Sequence, residues 1–507
     1  MLEFSIFREF TQCTLLVTFL FAGHSAAGFQ DHKSLPLAER VVEHTLNNGW
    51  RFLLLPRDGA PTIAFETYVA TGSANDPEGL GGMAHQVQNL LFKGSSRLGT
   101  RNWEEESLAL ELVDKTYAEL ERAREVQNAQ EVSSATIALF NARKAANQWV
   151  VREEFSRILE DAGGEPSLNA YLDGDGTRFV VSLPSNQIEK WCWLESERFR
   201  APVFREFYVE RDALLEDRRG RIETDSLGRM AMELRQTAYG DHPLGQPALG
   251  TMQSIGRLNR TAAKAFFLEH YGASNLTTSI VGSFDPARLI PRLEAYFSSV
   301  PEGPGKLHGH PPVPEQDGER RVNIASDSNP MVWIAWHVPA HSHPDFMAVD
   351  IAVRLLGYAR SSRLEKRLVR ENALVSELAL SPAKGADRHA ALATIRAVPV
   401  LGVATETVEA AIYEEIERLA ADGPEEEELA GVKRVATADF IRSLRNNSAI
   451  ARGMNQAEVE CGDWEPFFTS DSRYAEVSGE DVSRVLRAWF TPERRIVTTL
   501  VGAAWER

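Results

Sequence analysis

The sequence predicts an α+β protein of two homologous halves, each a mainly antiparallel sheet flanked by helices, with the halves hinged into a clam-like shell. Three observations carry this expectation: a strand-and-helix pattern that recurs between the two parts of the chain, one helix-forming stretch that breaks its spacing, and a proline-rich connection between the parts.

The repeat is read from matched landmarks. PTIAFETYVA at 61–70 is followed by Gly-Leu-rich sequence, a helical stretch and GSSRL at 94–98. PMVWIAWHVP at 330–339 leads in the same way through the amphipathic FMAVDIAVRLLGYA to RSSRL at 360–364. TRFVVSLP, ending at Pro184, matches ATIRAVP, ending at Pro399; both are β-branched strands closed by proline and succeeded by a long helix. LTTSIVG, ending at Gly282, matches IVTTLVG, ending at Gly502.

The spacing of these landmarks locates an insertion. Arg97 and Arg363 lie 266 residues apart but Pro184 and Pro399 only 215, so the first half holds about 51 additional residues between them. They fall at about 104–155, rich in Ala, Glu, Leu and Arg without Gly or Pro, a composition that favours a helical hairpin. PEGPGKLHGHPPVPEQDG at 301–318 reads as a linker, with His308 and His310 as solvated loop residues. The expected organisation is a signal peptide at 1–27, a first half at 28–300, the linker, and a second half at 319–507.

Composition bounds the function. A chain of 507 residues exceeds one compact core, and 43% hydrophobic with 25% charged residues is the balance of a folded globular protein. The net charge of −17 repels phosphate backbones, which argues against nucleic acid as a partner. The apolar run CTLLVTFLFAG at 13–23, followed by small residues at Ser25 and Ala27, reads as a signal peptide, with a short uncleaved anchor as the alternative, so the chain is expected to be exported to the periplasm or beyond. No later segment approaches the roughly 20 apolar residues of a membrane span. Cys13 falls in that leader, and Cys192 and Cys461, far apart in sequence, make neither a metal cluster nor a disulfide framework.

The chemistry-bearing stretch is DPEGLGGMAHQVQNLLFKGSSRLGTRNW at 76–103. An H-x-x-E-H helix binds zinc through two histidines one turn apart, uses the glutamate to take a proton from metal-bound water, and takes a carboxylate from a later helix as third ligand. With its Gly-Leu-rich approach and Phe-Lys-Gly turn, this stretch resembles that of the pitrilysin/insulinase (inverzincin) zinc peptidases, a family related to mitochondrial processing peptidase. Further matches at 167–184, 204–212, 242–250 and 271–282 extend the resemblance over nearly the whole mature chain. It implies that His85 stands at the first ligand position, Gln88 at the base and Asn89 at the second ligand. In YVERDALLEDRRGRIETD at 208–225, Asp217 falls at the third ligand position and Glu210 is a supporting residue behind it. Asn89 and Asp217 are 128 residues apart, or 77 with the insertion set aside, about the separation such proteins use.

The departures decide the expected function. Glutamine has no titratable carboxyl, and loss of a general base costs on the order of 10² to 10⁴ in rate. Asn89 offers only an amide oxygen to an ion that prefers imidazole or thiolate, and Asp217 is one methylene shorter than glutamate. No intact catalytic residue, metal or other cofactor is therefore expected. The resemblance then implies a non-catalytic, peptide-binding or chamber-forming subunit of an exported metallopeptidase, with a catalytically intact homologue as hetero-oligomer partner and unfolded peptides as ligands. The alternative is an active zinc metalloendopeptidase in which His85 and Asp217, with Glu210 or Glu216, recruit the ion by an altered geometry. The plainer alternative for His85 is a helix histidine hydrogen-bonded to Gln88 or Asn89. Candidate peptide contacts are Asn169, Ala170 and Tyr171, in a segment resembling the family's substrate-lining edge strand, and Arg388 in the second half. Asp173-Gly-Asp-Gly176 reads as a polar turn and not a calcium loop.

Overall fold

In a computed structural model of the chain, residues 35–164, 170–305, 310–358, 361–381 and 391–502 are described. The expected signal peptide, Asn169, His308 and Arg388 lie outside them. The first sheet contains β1 (Val42–Thr45), β2 (Arg51–Pro56), β3 (Thr62–Val69), β4 (Ala170–Leu172), β5 (Thr177–Pro184) and β6 (Leu276–Gly282), in the order β1-β2-β6-β3-β5-β4. The second contains β7 (Arg320–Ser326), β8 (Met331–Val338), β9 (Val375–Ser381), β10 (Ala391–Pro399) and β11 (Arg495–Gly502), in the order β7-β11-β8-β10-β9. With β1 set aside, the two sheets have one topology. Each is antiparallel apart from a single parallel pair, β2 with β6 and β7 with β11. The expected α+β architecture of two like halves is the observed one.

The repeat extends to side chains. Arg97 of the first Ser-Ser-Arg-Leu turn pairs with Glu197 at 2.9 Å, on the helix Ile188–Arg200 that follows β5. Arg363 of the second lies 3.6 Å from Glu415, on the helix Thr405–Asp422 that follows β10. Both glutamates are buried, so each arginine compensates a carboxylate that would be costly alone.

Each sheet is apolar on both faces, and the second face is covered by a helix from the other half. Leu53, Leu55 and Val281 of the first sheet pack on Ile450, Ala451 and Met454 of the helix Asn447–Cys461. Reciprocally, the helix Ser226–Tyr239 sets Leu234, Ala238 and Tyr239 against Ala335 and Ile496 of the second sheet, and Met230 against Ile324 and Leu500. Asn455 fixes the first contact by donating to the Glu66 carbonyl at 2.7 Å and accepting from the Ser279 hydroxyl at 2.7 Å.

Trp103–Glu125 and Ala129–Asn147 are two helices packed along each other, their first turns capped by the side chains of Asn102 and Asn128. Leu110, Val113, Tyr117, Leu139 and Ala142 attach them to the first core. Cys192 is buried, Cys461 partly so, and both are free thiols. Among the described residues no helix is long and apolar enough to cross a membrane.

Candidate functional site

The helix Met83–Leu90 carries the candidate site, and the Gly-rich approach sets its start. The Asp76 carboxylate accepts from the backbone N–H of Gly82 at 2.6 Å and of Ala84 at 2.7 Å, satisfying donors that a helix N-terminus leaves free. Gly82 turns the chain at φ 93°, where a side chain would be strained. Met83, Ala84, Val87 and Leu90 pack into the first core. Buried Gln86 donates its Nε2–H to the carbonyl of Phe207 at 3.0 Å, joining this helix to the start of the helix Phe207–Arg218. What remains is His85 and Asn89, one turn apart and partly exposed, with Gln88 buried between them in sequence.

Burial lowers the His85 pKa; the Asp217 carboxylate opposes that effect and the Arg221 guanidinium adds to it. The imidazole is therefore neutral near pH 7. Among the described residues no hydrogen bond joins it to Gln88 or Asn89. The Gln88 Nε2 is buried and has no hydrogen-bond partner among the described residues.

The acidic candidates are each already paired. Asp217 Oδ1 forms an ion pair with Arg221 Nε at 2.7 Å, and Arg221 lies in the π-helical turn Arg219–Glu223 that continues the helix. Glu216 pairs with Arg219, and Glu223 with Arg218 at 3.2 Å. Glu210, read from the sequence as a supporting residue behind a metal, is instead 2.8 Å from Lys93 Nζ, in the Phe-Lys-Gly turn. Lys93 is also 3.6 Å from Glu153 and 3.8 Å from Glu206. The donors present, one imidazole, two carboxamides and an aspartate already bound to arginine, do not fit a zinc ion. Among the described residues no cluster of three or more His, Cys, Asp or Glu side chains is arranged to hold a metal.

Of the peptide-contact candidates, Ala170 and Tyr171 lie on β4, at the edge of the first sheet. Tyr171 is half-exposed, with the Arg452 guanidinium 5.2 Å from its ring centre. The turn after β4 is local: Asp173 Oδ1 accepts from the backbone N–H of Asp175 at 3.0 Å and of Gly176 at 2.8 Å. His310 is not a free loop residue, since its Nε2 lies 3.7 Å from Asp175. Sequence reasoning missed Arg221 and Lys93. The four-residue spacing of Asp217 and Arg221 signals a helical ion pair, whereas nothing in the sequence joins Lys93 to Glu210.

Two sheets of one topology, with His85 and Asn89 one turn apart on a helix that packs against the helix Phe207–Arg218, define a two-half α+β protein. A family model described as "Peptidase M16 inactive domain" matches residues 257–435. The zinc protease PqqE of Helicobacter pylori is 24% identical over 497 residues, covering 97% of each chain. A crystal structure of a protease from Helicobacter pylori matches with TM-score 0.75 at 22% identity, over 91% of this chain and 99% of that one. A peptidase M16 inactive domain from Pseudomonas fluorescens matches with TM-score 0.72 at 15% identity, over 91% and 98%. Over nearly its whole length the chain is similar to peptidases of the pitrilysin/insulinase type, M16.

Proposed function

We propose that this protein is a non-catalytic member of its family, exported from the cytoplasm, which forms chamber or peptide-binding surface beside a catalytically intact homologue. The observation that carries this reading is the state of the acids around His85. Glu210, Glu216 and Asp217, the carboxylates on which an altered zinc site would draw, are each held by a basic side chain. Gln88 presents an amide where the general base would stand, and an amide takes no proton from water near neutral pH. Unfolded peptide is the expected ligand: β4 ends a sheet, and an extended segment there can add through backbone hydrogen bonds beside Tyr171.

The test is metal analysis of the purified protein together with a chelator-sensitive peptide-cleavage assay, alone and after co-expression with an intact homologue. We expect substoichiometric zinc and no cleavage by the chain alone, with recovery of a complex that cleaves. Stoichiometric zinc with activity lost in His85→Ala would overturn the reading.

A further inference from the structure

We propose that Arg221 stands in for the absent metal cation, its guanidinium neutralising Asp217 beside His85 and closing the site to divalent ions. The proposal deepens the reading above and rests on its assignment of positions 85, 89 and 217. Lost ligands alone make a weak site; a resident cation makes an opposed one.

Several observations converge on Arg221. Its Nε lies 2.7 Å from Asp217 Oδ1, so the carboxylate a metal would need already carries a positive charge. The helix Phe207–Arg218, which carries Asp217, packs against the helix of His85 through the Gln86–Phe207 hydrogen bond, so the pair stands at the face of that helix. The backbone is pinned as well. The chain changes from α- to π-helix at Arg219–Glu223, and a Cβ on Gly228 would collide with the Arg221 carbonyl oxygen, so the start of the next helix closes directly on this residue. Finally, the neighbouring acids offer no second home: Glu216 holds Arg219, and Glu223 holds Arg218. An ion entering between His85 and residue 217 must displace Arg221 from the carboxylate or bind against its charge.

The side chains of Arg221 and Asp217 are 67% and 34% exposed, so the obstacle is modest, roughly two- to five-fold in zinc affinity. The experiment restores the ligands with Gln88→Glu, Asn89→His and Asp217→Glu in the full chain, and combines them with native Arg221, Arg221→Gln or Arg221→Lys. Zinc affinity is measured by competition with a chromophoric chelator, with circular dichroism confirming the native fold. We expect Arg221→Gln to bind roughly two- to five-fold tighter than native Arg221, and Arg221→Lys to bind as weakly as native because it keeps the charge. Equal affinity in all three overturns the proposal and leaves the ligand positions standing. Folded protein that binds no zinc in any of the three shows that the ligand positions are misassigned, and the proposal falls with them.

Discussion

Glu66 lies on β3 beneath the helix Asn447–Cys461, fully buried, with neither carboxylate oxygen hydrogen-bonded and with Arg178 and Arg452 each 3.8 Å away. Burial raises its pKa to about 7 from 4.5, against the pull of the two arginines and Asn455. The native state therefore binds this proton more tightly than the unfolded chain. The resulting stabilisation is present below about pH 4.5 and is lost as pH rises to about 7. Urea unfolding across that range should show up to about 3 kcal/mol of this dependence, removed by Glu66→Gln. A variant with an unchanged pH profile would mean that the two arginines hold Glu66 ionised throughout. Gln88 differs in kind, because its amide cannot titrate and its effect on chemistry holds at every pH.

The elements around the site meet at close backbone approaches. Gly228, early in the helix Ser226–Tyr239, sits against the Arg221 carbonyl so tightly that any side chain collides with it. Gly228→Ala must therefore shift the π-helical turn or the start of the helix, and should destabilise the protein by roughly 2 to 3 kcal/mol in chemical denaturation. Gly256→Ala is the control, since a Cβ there meets nothing within 4 Å. The paired helices Trp103–Glu125 and Ala129–Asn147 follow a simpler rule. Uninterrupted helix-forming composition and an asparagine cap at each start are enough to specify them, whatever the remainder of the half does.

At the scale of the whole molecule, the exchanged helices couple the halves. Neither sheet can bury both faces with residues from its own side of the linker, so each half depends on the other for part of its core. Met454 is fully buried in that exchange, and Met454→Ala should cost roughly 2 to 5 kcal/mol. The loss should appear in both halves together. Fluorescence of variants retaining only Trp50, in the first core, or Trp336, in the second, should report one shared unfolding midpoint. Two separate midpoints would show that the halves fold independently despite the exchange.

The sequence by itself determined the elements and their order. β-branched strands closed by proline, the paired Ser-Ser-Arg-Leu turns and the alanine-rich insertion are local patterns, and strand alternation and helical period are local physics. It also limits the chemistry of the helix Met83–Leu90, because the amides of Gln88 and Asn89 neither titrate nor offer an imidazole in any conformation. Only the tertiary structure decided which sheet each amphipathic helix covers: an apolar stripe specifies that a face is buried, not the partner that buries it. Likewise the pairing of Lys93 with Glu210 and the seat of Arg221 beside His85 arise where separate elements converge, since charge acts through space and not along the chain.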